Sequence, residues 1–127
     1  MMTKLAEKGG AKTWYFPDGY LPEKTAGAME AHEALMILNV HDRDAQIEID
    51  FYFENMDAMK NIPVVVESER VRSFHLDIPE HIGGVRIPPL TQYALRLRSN
   101  LPVVVMLGRL DTTQSNMAYY TVSPYSE

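Results

Sequence analysis

Three polar residues at the end of an apolar run are the first place to look for chemistry. Val103 to Leu107 is unbroken hydrocarbon, and Arg109, Asp111 and Gln114 follow it closely. In a regular strand Arg109 and Asp111 share a face, so they could form a bidentate ion pair or hold a polar ligand. His32-Glu33 stands in the same relation to a second apolar run, Ala34 to Leu38. Trp14, Tyr15 and Tyr20 add aromatic faces near turn residues. Aromatic rings beside Arg, Asp, Glu and Gln are the groups that hold a sugar-like ligand, by stacking on its apolar face and by planar hydrogen bonds to its hydroxyls. The candidate ligand-binding residues are therefore Trp14, Tyr20, Glu33, Arg109, Asp111 and Gln114. The competing reading of the same residues is structural: an ion pair, and aromatics that belong to the core or an interface.

Other chemistries find less support. Glu33 and Asp111 could act as an acid–base pair only if the fold brought them together. His32, His41, His75 and His81 are scattered, without His-x-x-x-His or other ligand spacing, so no metal site is expected. There is no Gly-x-Ser-x-Gly elbow and no cysteine, which removes the usual nucleophiles. Gly9-Gly10 and Gly83-Gly84 are lone pairs that open no helix, so neither reads as a phosphate cradle. No catalytic residue and no cofactor is assigned, and the chain is expected not to be an enzyme.

The elements that must position these residues are strands. Ala45 to Glu54 alternates strictly, with Ala45, Ile47, Ile49, Phe51 and Phe53 on one side. That pattern predicts a strand with one face in the core and one in water. Ala31 to Val40 is nearly all apolar and predicts a strand covered on both faces. His41-Asp42-Arg43-Asp44 between them reads as a polar turn, making the two strands a β-hairpin. Thr13 to Phe16 reads as a short aromatic strand ending at Pro17-Asp18-Gly19. Asn55 to Asn61 is the only stretch that suggests a helical turn. Strands are also expected from Val64, over Val71 to Ile78, over Tyr93 to Leu97, from Pro102 to Leu110 after the turn signal Ser99-Asn100, and over Asn116 to Val122. Pro79 to Pro89 reads as a loop. Roughly eight strands with frequent turns and no long amphipathic helix predict an all-β, antiparallel two-sheet β-sandwich.

The apolar run carries more hydrocarbon than a sandwich strand needs. Val103, Val105 and Leu107 share one face, and Val104 and Met106 share the other. The surplus face must be covered, and a second subunit covers it economically. Val103 to Leu107 is therefore the candidate oligomer interface.

The 127 residues suit a single domain spanning the whole chain, 1–127, with 1–12 expected to be mobile. Acidic residues number 17 against 12 Lys and Arg, for a net charge of −5, so nucleic acid is not an expected partner. The absence of cysteine excludes a disulfide scaffold. No apolar run approaches the ~20 residues of a membrane span, and Met1 to Lys12 lacks the apolar core of a signal peptide. A cytoplasmic protein is the expectation, with any membrane association made through a partner.

Several short matches, in order, identify a resemblance. They are Trp14 with Asp18-Gly19-Tyr20-Leu21-Pro22; His32-Glu33 with Ile37-Leu38-Asn39; Asp44-Ala45 with Glu48; Ser99-Asn100-x-Pro102 with Val104-Val105; and Arg109-Leu110-Asp111 with Gln114. Together they cover Trp14 to Gln114, and the chain resembles the sensory rhodopsin transducer family. The resemblance implies a small β-sandwich assembling as a homo-oligomer, a tetramer in the best-known member. It also implies a soluble, non-enzymatic signalling or ligand-binding role, with a small polar, sugar-like ligand and a membrane photoreceptor or other receptor as possible partners. The chain departs from the family at Met106, where glutamine is common, and at Asp18, where glutamate is common.

Overall fold

A computed structural model of the protein describes residues 8–21, 32–111 and 118–127. The described chain is all-β and antiparallel. Its strands are β1 (Ala11–Tyr20), β2 (His32–Asn39), β3 (Ala45–Phe53), β4 (Met59–Val66), β5 (Arg70–His75), β6 (Gln92–Asp111), β7 (Ala118–Val122) and β8 (Tyr125–Ser126). The only helical turn among the described residues is a 3-10 turn at Pro79–Ile82.

The strands pair into one eight-stranded antiparallel sheet with two arms that share β6. In one, the order is β4-β3-β6-β1-β8; in the other, β5 pairs β2, β2 pairs β6, and β6 pairs β7. The first part of β6 pairs β3 and β1, while its last part pairs β2 and β7. Odd-numbered side chains of β6 point inward along almost its whole length: Tyr93, Leu95, Leu97, Leu101, Val103, Val105 and Leu107 are all buried. They join Phe16, Leu35, Ile37, Ile47, Ile49, Phe51 and Phe74 in one hydrophobic core. Burial of these side chains, each contributing roughly 1.5–3 kcal/mol, is the main force holding the strands together.

Several expectations are corrected. Ser99-Asn100 does not end a strand, because β6 continues through it to Asp111. Asn100 instead uses its side-chain oxygen to accept the Gln46 N–H at 2.7 Å, so the polar pair serves the ladder's edge rather than a turn. The β2–β3 hairpin does not form. β2 pairs β5 and β6, whereas β3 pairs β4 and β6. His41 to Asp44 is a corner carrying the chain from one arm of the sheet to the other, and a polar corner looks like a polar hairpin turn in sequence. Buried Asn39 builds it, donating to the carbonyls of Arg43 and Val66 and accepting the His41 N–H. The crossing from β4 to β5 docks on the same corner: Glu69 N–H and the Ser68 hydroxyl both donate to His41 O.

β1 runs from Ala11 to Tyr20, longer than the aromatic patch, and so includes the end of the segment expected to be mobile. Residues 1–7 lie outside the described part. Met59 to Asn61 belongs to β4 rather than to a helical turn, with Asn61 at φ 61° where the β3–β4 register shifts. The helical turn falls at Pro79 instead, where proline suits the first turn and Gly83 closes it at φ 66°. Residues 22–31 lie outside the described part, as do Asn116 and Met117, the start of the strand expected to end at Val122.

Candidate functional site

The inward face of β2 carries two polar residues, one at each end of an apolar pair: Glu33, Leu35, Ile37, Asn39. All four are buried. Asn39 is spent on the corner. Glu33 is the centre of the candidate site.

Among the described residues, the groups that meet the Glu33 carboxylate are all donors. One oxygen accepts the Tyr20 N–H at 2.9 Å and the Tyr93 hydroxyl. The other accepts Arg109 Nε at 3.0 Å, and Arg109 Nη2 stands 2.9 Å from it as an ion pair. Arg109 spends its remaining donors on the Tyr120 hydroxyl at 3.0 Å, from Nη1, and on the Asp18 carbonyl at 3.1 Å, from Nη2. The Asp18 carboxylate lies 3.5 Å from Nη2. The Tyr20 and Tyr120 rings stand 6.0 and 5.4 Å from the guanidinium carbon. These pairings are charge-assisted and largely shielded from water, which is where such bonds are strongest.

Burial pushes the Glu33 carboxyl upward, with the Tyr93 hydroxyl and Arg109 pulling against it. Burial also opposes the Arg109 charge, but Tyr120 and Glu33 outweigh it and raise its pKa. The Tyr93 hydroxyl is raised well above its ordinary value by burial and by Glu33, so it stays a donor. Glu33 thereby ties both ends of β6 to one point. Tyr93 and Arg109 are sixteen residues apart, about 53 Å along a straight strand. Both reach the same carboxylate, so β6 must bend sharply between them.

Of the predicted ligand residues, the structure brings Tyr20, Glu33 and Arg109 together. Trp14 stands apart: its ring N–H donates to the Ala11 and Val103 carbonyls, and its ring stacks on Phe16 at 6.4 Å. Asp111 is half-buried at the end of β6, opposite Ala118. The carboxylate on Arg109 is Glu33, from the neighbouring strand, with Asp18 beside it. Gln114 lies outside the described residues. Sequence reasoning missed Asp18, Tyr93 and Tyr120. Tyr93 is legible only as an inward-facing residue of an alternating strand, and nothing local marks its hydroxyl as Glu33's partner.

Gly19 is the quiet member of this site. A Cβ there would sit 2.4–2.7 Å from three carbons of the buried Tyr93 ring. Gly19→Ala is therefore expected to cost about 1–3 kcal/mol through overpacking. The Gly19→Ala/Tyr93→Leu pair should recover part of that loss in chemical denaturation. An unshifted Gly19→Ala melting curve would contradict the close packing.

Two further clusters were not foreseen. Asp50, on the expected wet face of β3, is fully buried. Arg96 covers it at 2.8 Å, Arg98 at 3.0 Å and the Asn61 N–H at 2.8 Å. Burial alone would raise its pKa, but these donors prevail and hold the carboxyl below its ordinary value.

Three of the four histidines, read as scattered, meet at the layer's edge. His32 and His75 stack at 4.6 Å, and His81 meets His75 edge-on at 5.7 Å. The His81 Nδ1 accepts the His75 N–H at 3.0 Å. Among the described residues no group of three His, Cys, Asp or Glu is arranged to hold a metal. The His75 pKa is lowered, first by burial and then by His32 and His81, against Asp77 at 3.8 Å. A histidine lowered on folding binds its proton more readily when unfolded, so stability must fall as pH drops through the ordinary histidine range toward the lowered value. Urea titrations between pH 8 and pH 5 should show this fall, and His75→Gln should flatten it. A slope that His75→Gln leaves intact would assign it elsewhere.

The arrangement matches a known class of all-β protein. The family model described as Anabaena sensory rhodopsin transducer matches residues 9–126. The chain belongs to that family. Among solved structures, Thermotoga maritima 1070 is 33% identical, with TM-score 0.82, over 94% of this chain and 97% of that one. The Anabaena sensory rhodopsin transducer is 27% identical, with TM-score 0.65, over 81% of this chain and 91% of that one. Comparison with curated proteins gives no match.

Proposed function

We propose that the chain is a non-enzymatic binding and signalling module of the transducer type. Its protomer is a β-sandwich that assembles with copies of itself, as a tetramer, and passes a signal by docking on a receptor. The observation that carries this reading is the outer face of the β5-β2-β6-β7 layer. Val71, Leu38 and Val104 lie in one row across three strands, and Ser73, Met36 and Met106 lie in the next. Val71 is 65% exposed, Met106 50%, Val104 43% and Leu38 39%. Tyr119 continues the surface beyond Gly108, with its hydroxyl over the glycine backbone. An apolar sheet face of this continuity is what a second subunit covers. Val103, Val105 and Leu107 are buried in the core, so Val104 and Met106 are the part of the candidate interface that a partner can reach.

The internal saturation of the Glu33–Arg109 cluster supports a non-enzymatic role. Its donors and acceptors hold one another, leaving no base poised toward a substrate. The receptor reading rests on the family's namesake, a transducer of a sensory rhodopsin. No helix among the described residues is long and apolar enough to cross a membrane. We place the protein in the cytoplasm, where it would meet the inner face of such a receptor.

Light scattering after size exclusion tests the assembly. A tetramer mass at micromolar concentration is expected, and a strict monomer would refute it. Titration of a detergent-solubilised sensory rhodopsin tests the docking, with saturable binding expected and no binding counting against it.

A further inference from the structure

A cavity of about 450 Å³ opens between the end of β1 and the loop that leads into β6. Its lining among the described residues includes Leu21, Leu76, Pro79, Ile87, Pro88 and Pro89, with two charged groups, Asp77 and Arg86. That volume lies within the range of small-molecule sites, as does the balance of apolar walls with a few polar groups. The walls are anchored to the rest of the fold. Leu76 N–H donates to the Glu33 carbonyl at 2.9 Å, and Leu90 N–H donates to the Leu21 carbonyl at 2.9 Å. Ile87 and Leu76 are buried in the core, and the 3-10 turn and Pro88-Pro89 stiffen the rim.

The two charges differ in how they are used. Asp77 stands 3.8 Å from His75. Arg86 is exposed and makes no ion pair or hydrogen bond with the described residues, unlike Arg96, Arg98 and Arg109. A guanidinium whose fork meets no partner among the described residues, at the mouth of an apolar cavity, matches a carboxylate bidentately. The apolar walls match a hydrocarbon body behind that carboxylate.

We propose that this cavity binds a small organic carboxylate with an aliphatic body. Arg86 takes the carboxylate, Leu21, Leu76 and Ile87 take the hydrocarbon, and Asp77 accepts a hydrogen bond from a hydroxyl or amino group. The site is separate from the Arg109 cluster. It goes beyond the assembly and docking proposed above and does not rest on them.

Isothermal titration with 4-methylpentanoate, 2-hydroxy-4-methylpentanoate and leucine, against the neutral 4-methyl-1-pentanol, tests it. The carboxylates should bind the wild-type protein and raise its melting temperature, since a ligand of the native state stabilises it by mass action. The alcohol should bind at least tenfold more weakly. Arg86→Gln should weaken carboxylate binding at least tenfold, and Arg86→Lys should weaken it less. Arg86 is exposed, so Arg86→Gln should keep wild-type mass by light scattering. Absence of carboxylate binding to the wild type, or binding that survives Arg86→Gln, overturns the site. Either failure with assembly mass unchanged leaves the oligomer reading standing.

Discussion

Replacing Arg109 by alanine should destabilise the protein by about 3–5 kcal/mol, the cost of leaving a buried charge without its partner. Glu33 is fully buried, and Arg109 supplies its ion pair and one of the hydrogen bonds it accepts from the described residues. The alanine variant keeps the Tyr20 N–H and the Tyr93 hydroxyl but loses the positive charge. Its Glu33 should then titrate higher than in the wild type. An acid whose folded pKa is raised costs stability as pH rises through that value, and costs nothing once it is protonated. The Arg109→Ala deficit should therefore be larger at pH 8 than at pH 5. Glu33→Gln should cost less, because the amide oxygen still accepts and Asp18 remains beside Arg109. The Glu33→Gln/Arg109→Met pair should recover much of the Arg109→Ala loss, since no unpaired charge is left inside. Urea denaturation with linear extrapolation measures all three. An Arg109→Ala loss below about 1 kcal/mol, the scale of a water-exposed pair, would show that the cluster is wet.

The second large effect concerns assembly. Met106→Asp should convert the oligomer to a folded monomer. Met106 is half exposed in the protomer and pairs with Met36 of β2, so a carboxylate there meets water in the monomer and would meet hydrocarbon in the proposed assembly. The cost to the monomer should stay near that of a surface change, within about 0.5 kcal/mol. Val105→Asp, one residue earlier, should instead unfold the protein, because Val105 is in the core. Light scattering and circular dichroism separate the outcomes. Met106→Asp at full oligomer mass would move the interface to another face.

Much of this architecture is legible in the chain. The alternation of Ala45 to Phe53 predicts β3 and its inward face. The two faces of Val103 to Leu107 separate core from exposed surface as the structure does. What local pattern misreads is pairing. His41 to Asp44 is as polar as any hairpin turn, and only its neighbours in space, Val66 and Glu67, make it a corner. Asp50 alternates onto a face that reads as wet, yet Arg96 and Arg98 from the adjacent strand bury it.

The candidate site shows the same division. Arg109 and Glu33 stand out by themselves, as charges at the ends of apolar runs, and period-two geometry is enough to point them inward. Their pairing with each other depends on β2 lying beside the last part of β6, with Glu33 opposite Arg109 in register. Tyr93 enters only because β6 bends. Long-range contacts of this kind depend on which strands pair and in what register, and those choices are made by the packing of the whole core. The strands and their inward faces were thus determined by the sequence alone, because side-chain alternation is local. The Glu33–Arg109–Tyr93 cluster and the lack of any partner for Arg86 among the described residues were decided by the tertiary structure, because only it shows which charges find partners.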